Sequence, residues 1–161
     1  GATAGDQGIM SAERRLAELG LALPSPPKPQ GNYVPWRLGG GLLFLSGVGP
    51  RHPDGRHVAG VIGADLTVRH GYEAARLCGL NLLANMRDAL GTLDRVDTIL
   101  KVLGMVRAVP DFGEQPEVIN GCTDLFVEVF GEAGRPAGSA VGMGSLPRGI
   151  AVEIEAVVLV R

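Results

Sequence analysis

Apolar positions along the chain switch between helical and strand spacing at its glycines and prolines, and that switching predicts the elements. Ser11-Ala-Glu-Arg-Arg-Leu-Ala-Glu-Leu-Gly20 reads as a short helix with Ser11 as N-cap and Gly20 as its stop. Pro24-Ser-Pro-Pro-Lys-Pro29 forbids regular structure and predicts a stiff, extended surface arm. Tyr33–Leu38 and Leu42–Val48 flank Gly39-Gly40-Gly41, a hairpin signal because glycine supplies the positive φ of tight turns. Pro53-Asp54-Gly55 marks a turn, and Val58–Ile62 reads as a short third strand. Val68, Tyr72, Ala75, Gly79, Leu82, Met86 and Ala89 recur at spacings of three and four. They predict a long amphipathic helix over Thr67–Leu90, capped by Thr67 and ended by Gly91.

Val96–Val109 is rich in branched residues and reads as a central strand. Pro116 suits the first turn of a second helix whose stripe is Val118, Cys122, Leu125 and Val129 and whose stop is Gly131. Two strands close the chain, near Ser139–Gly144 and Ile150–Val160. In the last, Val152, Ile154, Ala156 and Val158 share one side, while Glu153 and Glu155 share the other with Val157 and Leu159. A face mixing carboxylates with aliphatic groups predicts cover by another subunit or the wall of a pocket. The order β-β-β-α-β-α-β-β, with two helices laid on one face of a mixed sheet, is α+β.

A chain of 161 residues fits one domain with a real core. Residues 31–161 read as that domain, and residues 1–30 as a leader, the short helix and the arm. Met10 reads as a start, which sets Gly1–Ile9 outside the fold. A net charge of −2, with Lys and Arg scattered, supplies no electrostatic footprint for nucleic acid or an acidic membrane. No apolar run approaches the roughly 20 residues of a membrane span. Cys78 and Cys122 fall on apolar helix stripes and read as reduced core residues of a cytoplasmic protein.

The chemistry-bearing residues are few. His52, His57 and His70 are the only histidines, and a zinc site needs at least three converging ligands, so no metal is expected. The triple glycine precedes a strand, not a helix N-terminus, which weakens any phosphate-binding reading.

Tyr33 before a hairpin, Phe44-Leu45-Ser46-Gly47 at a strand end, and Leu146-Pro147 followed by Val152-Glu153-Ile154-Glu155-Ala156 resemble the YjgF/RidA (Rid) family. The resemblance covers roughly Pro27–Arg161; the short helix and arm are similar to a longer branch. It implies a chorismate-mutase-like fold, a homotrimer with a small-molecule cleft at each subunit interface, and endoribonuclease L-PSP-like relatives. Active members hydrolyse (deaminate) imines or enamines such as 2-aminoacrylate without a metal or cofactor. On this resemblance Glu153 would hold the attacking water, while Tyr33, Ser46 and Asn120 would shape the pocket. The family's carboxylate-binding arginine falls on Gly138 and its cysteine on Ala140. A guanidinium fork pairs a carboxylate bidentately, and glycine cannot. Arg135, Arg148 and Arg51 are the candidate replacements, although Arg135 lies about 10 Å along an extended strand from Gly138.

Each of these residues also has a structural reading. Glu153 could be an interface polar group, Tyr33 a packing aromatic, Ser46 a strand-ending hydroxyl and Asn120 a solvated amide. Three functions follow: an imine or enamine hydrolase, a trimeric small-molecule binding or regulatory protein without turnover, and, third, an endoribonuclease. Gly138 separates the first two, since an arginine there would favour the hydrolase.

Overall fold

The computed structural model describes residues 11–161; Met10 and Gly1–Ile9, read as a start and a leader, lie outside the described residues. Helix α1 spans Ala12–Glu18, and the Arg14 N–H donates to Ser11 Oγ at its N-cap. Glu13 anchors this helix to the domain, accepting from Arg87 Nη2 at 2.6 Å and from the Leu93 N–H at 2.9 Å.

Strands β1 (Trp36–Gly39) and β2 (Leu42–Val48) form the expected hairpin, with Gly40 and Gly41 at φ 59° and 78° in the two-residue turn. β1 starts three residues later than expected from Tyr33. Pro35 has no N–H to give the ladder, and only its carbonyl pairs, accepting from the Ser46 N–H at 3.0 Å. The expected third strand at Val58–Ile62 is a correction: that stretch makes only isolated bridges, Ala59 with Ile150 and Ile62 with Leu66 and Ala108. Gly60 at φ 139° breaks its pleat, and Asp65 Oδ1 takes the Val61 N–H at 2.7 Å, withdrawing it from any ladder.

Helix α2 (Val68–Leu90) opens on a reciprocal cap between Thr67 and His70 and closes on left-handed Gly91. Strand β3 (Val96–Arg107), helix α3 (Gln115–Phe130, with Pro116 in its first turn), strand β4 (Ala137–Met143) and strand β5 (Val152–Val160) follow. The five-stranded mixed sheet runs β1-β2-β5-β3-β4; β3 and β4 are parallel across α3, and the other pairs are antiparallel. Thus the observed order after α1 is β-β-α-β-α-β-β, still α+β.

One sheet face packs on α2 and α3 through Leu43, Leu45, Ile99, Val102, Val106, Val152, Ile154 and Val158, all buried. The two helices touch closely where Gly121 lies against the Tyr72 carbonyl, leaving no room for a Cβ. None of the described residues covers the other face. It carries Phe44, Val141 and Leu159, all exposed, beside Glu153 and Glu155. Register sets Glu153 opposite Met105 and, one strand further, Val141.

Candidate functional site

The seven site candidates fall into three places on one chain. Asn120, Arg135, Gly138 and Ala140 line a cavity of about 630 Å³ between α3 and β4. The pairing of Gly138 with Val102 and of Ala140 with Gly104 puts both on the helix-covered face, opposite the helix that carries Asn120. A Cβ at Gly138 would meet nothing nearer than the Val102 carbonyl oxygen at 3.6 Å, so the site has room for a side chain and lacks one. Arg135 reaches this cavity but donates from Nε to Glu132 at 3.2 Å, in an exposed pair. Asp124 and Glu128 also line it. Asp124 accepts from the Tyr72 hydroxyl at 2.7 Å, which together with burial holds that phenol above its ordinary pKa. Glu128 pairs with Arg76 at 3.0 Å.

Tyr33 and Ser46 line a second cavity, of about 590 Å³, where the end of β2 meets the Pro-rich arm. The β2–β5 register shifts between Leu45 and Val48, and this bulge turns Ser46 and Gly47 toward the cavity. Ser46 Oγ donates to the Val34 carbonyl at 2.6 Å, leaving its lone pairs free to accept. Arg51 and His57 share this cavity. Arg51 donates from Nε and Nη2 to Asn81 Oδ1 at 3.4 and 3.3 Å, and from Nη2 to the Ser25 carbonyl of the arm. Burial first, then the charges of Arg51, Arg148 and His52, holds the His57 imidazole below its ordinary pKa.

Glu153 lines neither cavity. It stands on the uncovered face with its carboxylate laid over Gly47, where a Cβ would meet Oε2 at 2.5 Å. Partial burial, reinforced by Glu155, raises its carboxyl above the ordinary range. Arg148, the remaining arginine candidate, occupies a left-handed conformation (φ 57°) in the Leu146-Pro147 turn and reaches neither cavity.

Two residues escaped the sequence reading. Asn81 and Asn85 are buried amides on α2, adjacent to its apolar stripe at Leu82 and Met86. Paired asparagines four apart beside an apolar stripe were the available signal. The free thiols of Cys78 and Cys122 are buried, and burial pushes both pKa values up. Among the described residues no three His, Cys, Asp or Glu side chains converge as a metal site, and no helix is long and apolar enough to cross a membrane.

Comparison with known proteins places this geometry. Residues 13–147 match the family model described as "YjgF/chorismate_mutase-like, putative endoribonuclease". Protein TCP17 of Trypanosoma cruzi is 44% identical over 144 residues, covering 89% of this chain and 90% of that protein. A crystal structure of an Agrobacterium tumefaciens protein with unknown function is 43% identical, with a TM-score of 0.85 over 93% of this chain and 94% of that one. The structure of E. coli TdcF with bound serine is 26% identical, with a TM-score of 0.62 over 84% of this chain and 93% of that one.

Proposed function

We propose that this chain, which belongs to the YjgF/chorismate-mutase-like family, hydrolyses a small imine or enamine in a cleft completed between copies of itself. The observation that carries this reading is Glu153, a partly buried carboxylate with raised pKa seated on the backbone of Gly47. A carboxylate whose proton affinity is lifted toward neutrality suits a general base, because it accepts a proton more readily than a solvated one. In the proposed reaction Glu153 takes a proton from water as the oxygen adds to the carbon of the protonated imine. Glu153 returns that proton to the nitrogen of the resulting carbinolamine. The C–N bond breaks as the hydroxyl gives its proton to Glu153 and becomes the carbonyl, so ammonia and a keto product leave. An enamine first gains a proton at carbon to become the imine.

The cleft between copies is supported by the separation of the candidates: Asn120, Arg135, Gly138 and Ala140 sit in one cavity, and Tyr33 and Ser46 in another. Assembly as a homotrimer would join one copy's first cavity to its neighbour's second. The exposed apolar groups Phe44, Val141 and Leu159 around Glu153 supply a surface for it. The serine held by TdcF supports a ligand of amino-acid size. Two buried thiols are in keeping with a cytoplasmic setting.

Gly138 favours a second reading, a trimeric binding protein without turnover, because position 138 has space for a side chain and carries no guanidinium of its own. Ammonia release from freshly generated 2-aminoacrylate decides between them. The hydrolase reading expects turnover by the natural chain and its loss in Glu153→Gln. An inert natural chain that gains activity on Gly138→Arg refutes it.

A further inference from the structure

The cavity under the Pro-rich arm contains a polar group that the protein itself leaves unused. Asn85 is 1% exposed, lines that cavity, and its Oδ1 has no hydrogen-bond partner among the described residues. An unmet buried acceptor is destabilising, and a leucine would fill the same space without that cost. One helical turn earlier, Asn81 is fully engaged. Its Nδ2 donates to the Arg51 and Leu77 carbonyls, both at 2.9 Å, and its Oδ1 accepts from the Arg51 guanidinium. Asn81 thereby fixes Arg51, which lines the same cavity as Asn85, while Arg51 Nη1 has no acceptor among the described residues.

Charge points the same way. Among the described residues, the arm-covered cavity is lined by two cations, Lys28 and Arg51, and by no carboxylate. The α3–β4 cavity that holds Gly138 is lined by Asp124 and Glu128 as well as Arg135. An anion is therefore drawn to the former and discouraged from the latter.

We infer that the carboxylate anchor of this protein lies under the Pro-rich arm, where Arg51 holds a small amino- or imino-carboxylate and Asn85 Oδ1 accepts its N–H. Asn81 and Asn85 are four residues apart, about 6 Å along the helix. A carboxylate and an N–H on neighbouring carbons bridge that span with one hydrogen bond at each end. Arm residues Ser25–Gln30 form the outer wall, and the Ser25 carbonyl is bonded to the same arginine that takes the ligand. The anchor thus replaces the guanidinium absent at Gly138. The inference rests on the reading of a small nitrogen-bearing carboxylate as ligand, and not on turnover.

Three matched probes test it by chemical-shift titration of the full chain: L-alanine, propionate (no N–H) and L-alaninamide (no carboxylate). The natural chain should bind L-alanine roughly 10-fold or more tightly than either of the others. Asn85→Leu should erase the preference for L-alanine over propionate, and Arg51→Gln should weaken both carboxylates roughly 10- to 100-fold. Arg51 also supports the arm, so thermal melting checks that its variant is folded. Asn85 Oδ1 has no hydrogen bond to lose among the described residues, which leaves Asn85→Leu decisive if Arg51→Gln unfolds. Three outcomes overturn the inference: no shift with any probe, an unchanged L-alanine preference in Asn85→Leu, or loss of binding in Arg135→Gln with Arg51→Gln unaffected. Imine turnover with the anchor at Arg135 would sink this inference and spare the hydrolase; binding through Arg51 and Asn85 without turnover would do the reverse.

Discussion

Replacing Gly47 by alanine isolates the placement of the Glu153 carboxylate from its chemistry. A Cβ at Gly47 would stand 2.5 Å from Glu153 Oε2, where ordinary contact begins near 3.4 Å, so the carboxylate must retreat by about 0.9 Å. The atom that yields is the end of a flexible side chain, and Gly47 does not occupy the positive-φ region, so the backbone has no reason to move. Removing a glycine also narrows the unfolded ensemble, which offsets part of the strain, and net stability should stay within about 1 kcal/mol. A displacement of about 1 Å at a reacting group costs on the order of 100-fold in rate. Ammonia release from 2-aminoacrylate, run beside a thermal melt, should therefore show a folded Gly47→Ala enzyme slowed by about two orders of magnitude. Full activity in the folded variant would refute the assignment of Glu153 as the residue that holds water.

Three further outcomes are expected. Glu153 has a raised folded-state pKa, so its favourable contribution is complete in acid and is lost as pH rises through that value. Glu153→Gln should melt higher than the natural chain at neutral pH, by no more than about 1 kcal/mol after solvent screening, with the gap closing in acid. Glu13 is shifted the other way, first by its hydrogen bond from Arg87, so its contribution is present at neutral pH and fades as pH falls through its lowered value. Glu13→Gln should cost about 0.5–1 kcal/mol at neutral pH and nothing in strong acid, as read by denaturant titration. Gly121→Ala would drive a Cβ into the Tyr72 carbonyl, a backbone atom that cannot step aside. It should cost about 3 kcal/mol, a drop near 10 °C in melting temperature, and leave the helices intact by circular dichroism.

Local rules settled most of the elements from sequence. Ser11, Thr67, Gly91 and the Gly40-Gly41 turn act through bonds and φ values within a few residues, and each stands where local chemistry puts it. The period-2 alternation of β5 likewise identified its buried row, because one face of a sheet strand must meet the core. Val58–Ile62 failed as a strand because the outcome depended on Asp65 and Gly60 capturing its backbone, a competition invisible to apolar spacing.

For the site, residue types alone located candidates without telling which meet. Only the fold divides Tyr33 and Ser46 from Asn120, Arg135, Gly138 and Ala140, because β2 and β4 are the second and fifth strands across the sheet. Only the fold shows that Glu153 rests on Gly47, 106 positions earlier in the chain, and that burial, then Glu155, lifts its pKa. The same holds for Asn85, an ordinary helix residue until packing closes around it at the edge of a cavity and leaves its Oδ1 without a partner among the described residues. Sequence determined which segments could bury a face, since that follows from spacing along the chain. Tertiary structure decided which polar groups lose water, and with it the charge, proton affinity and unmet bonding from which a site is made.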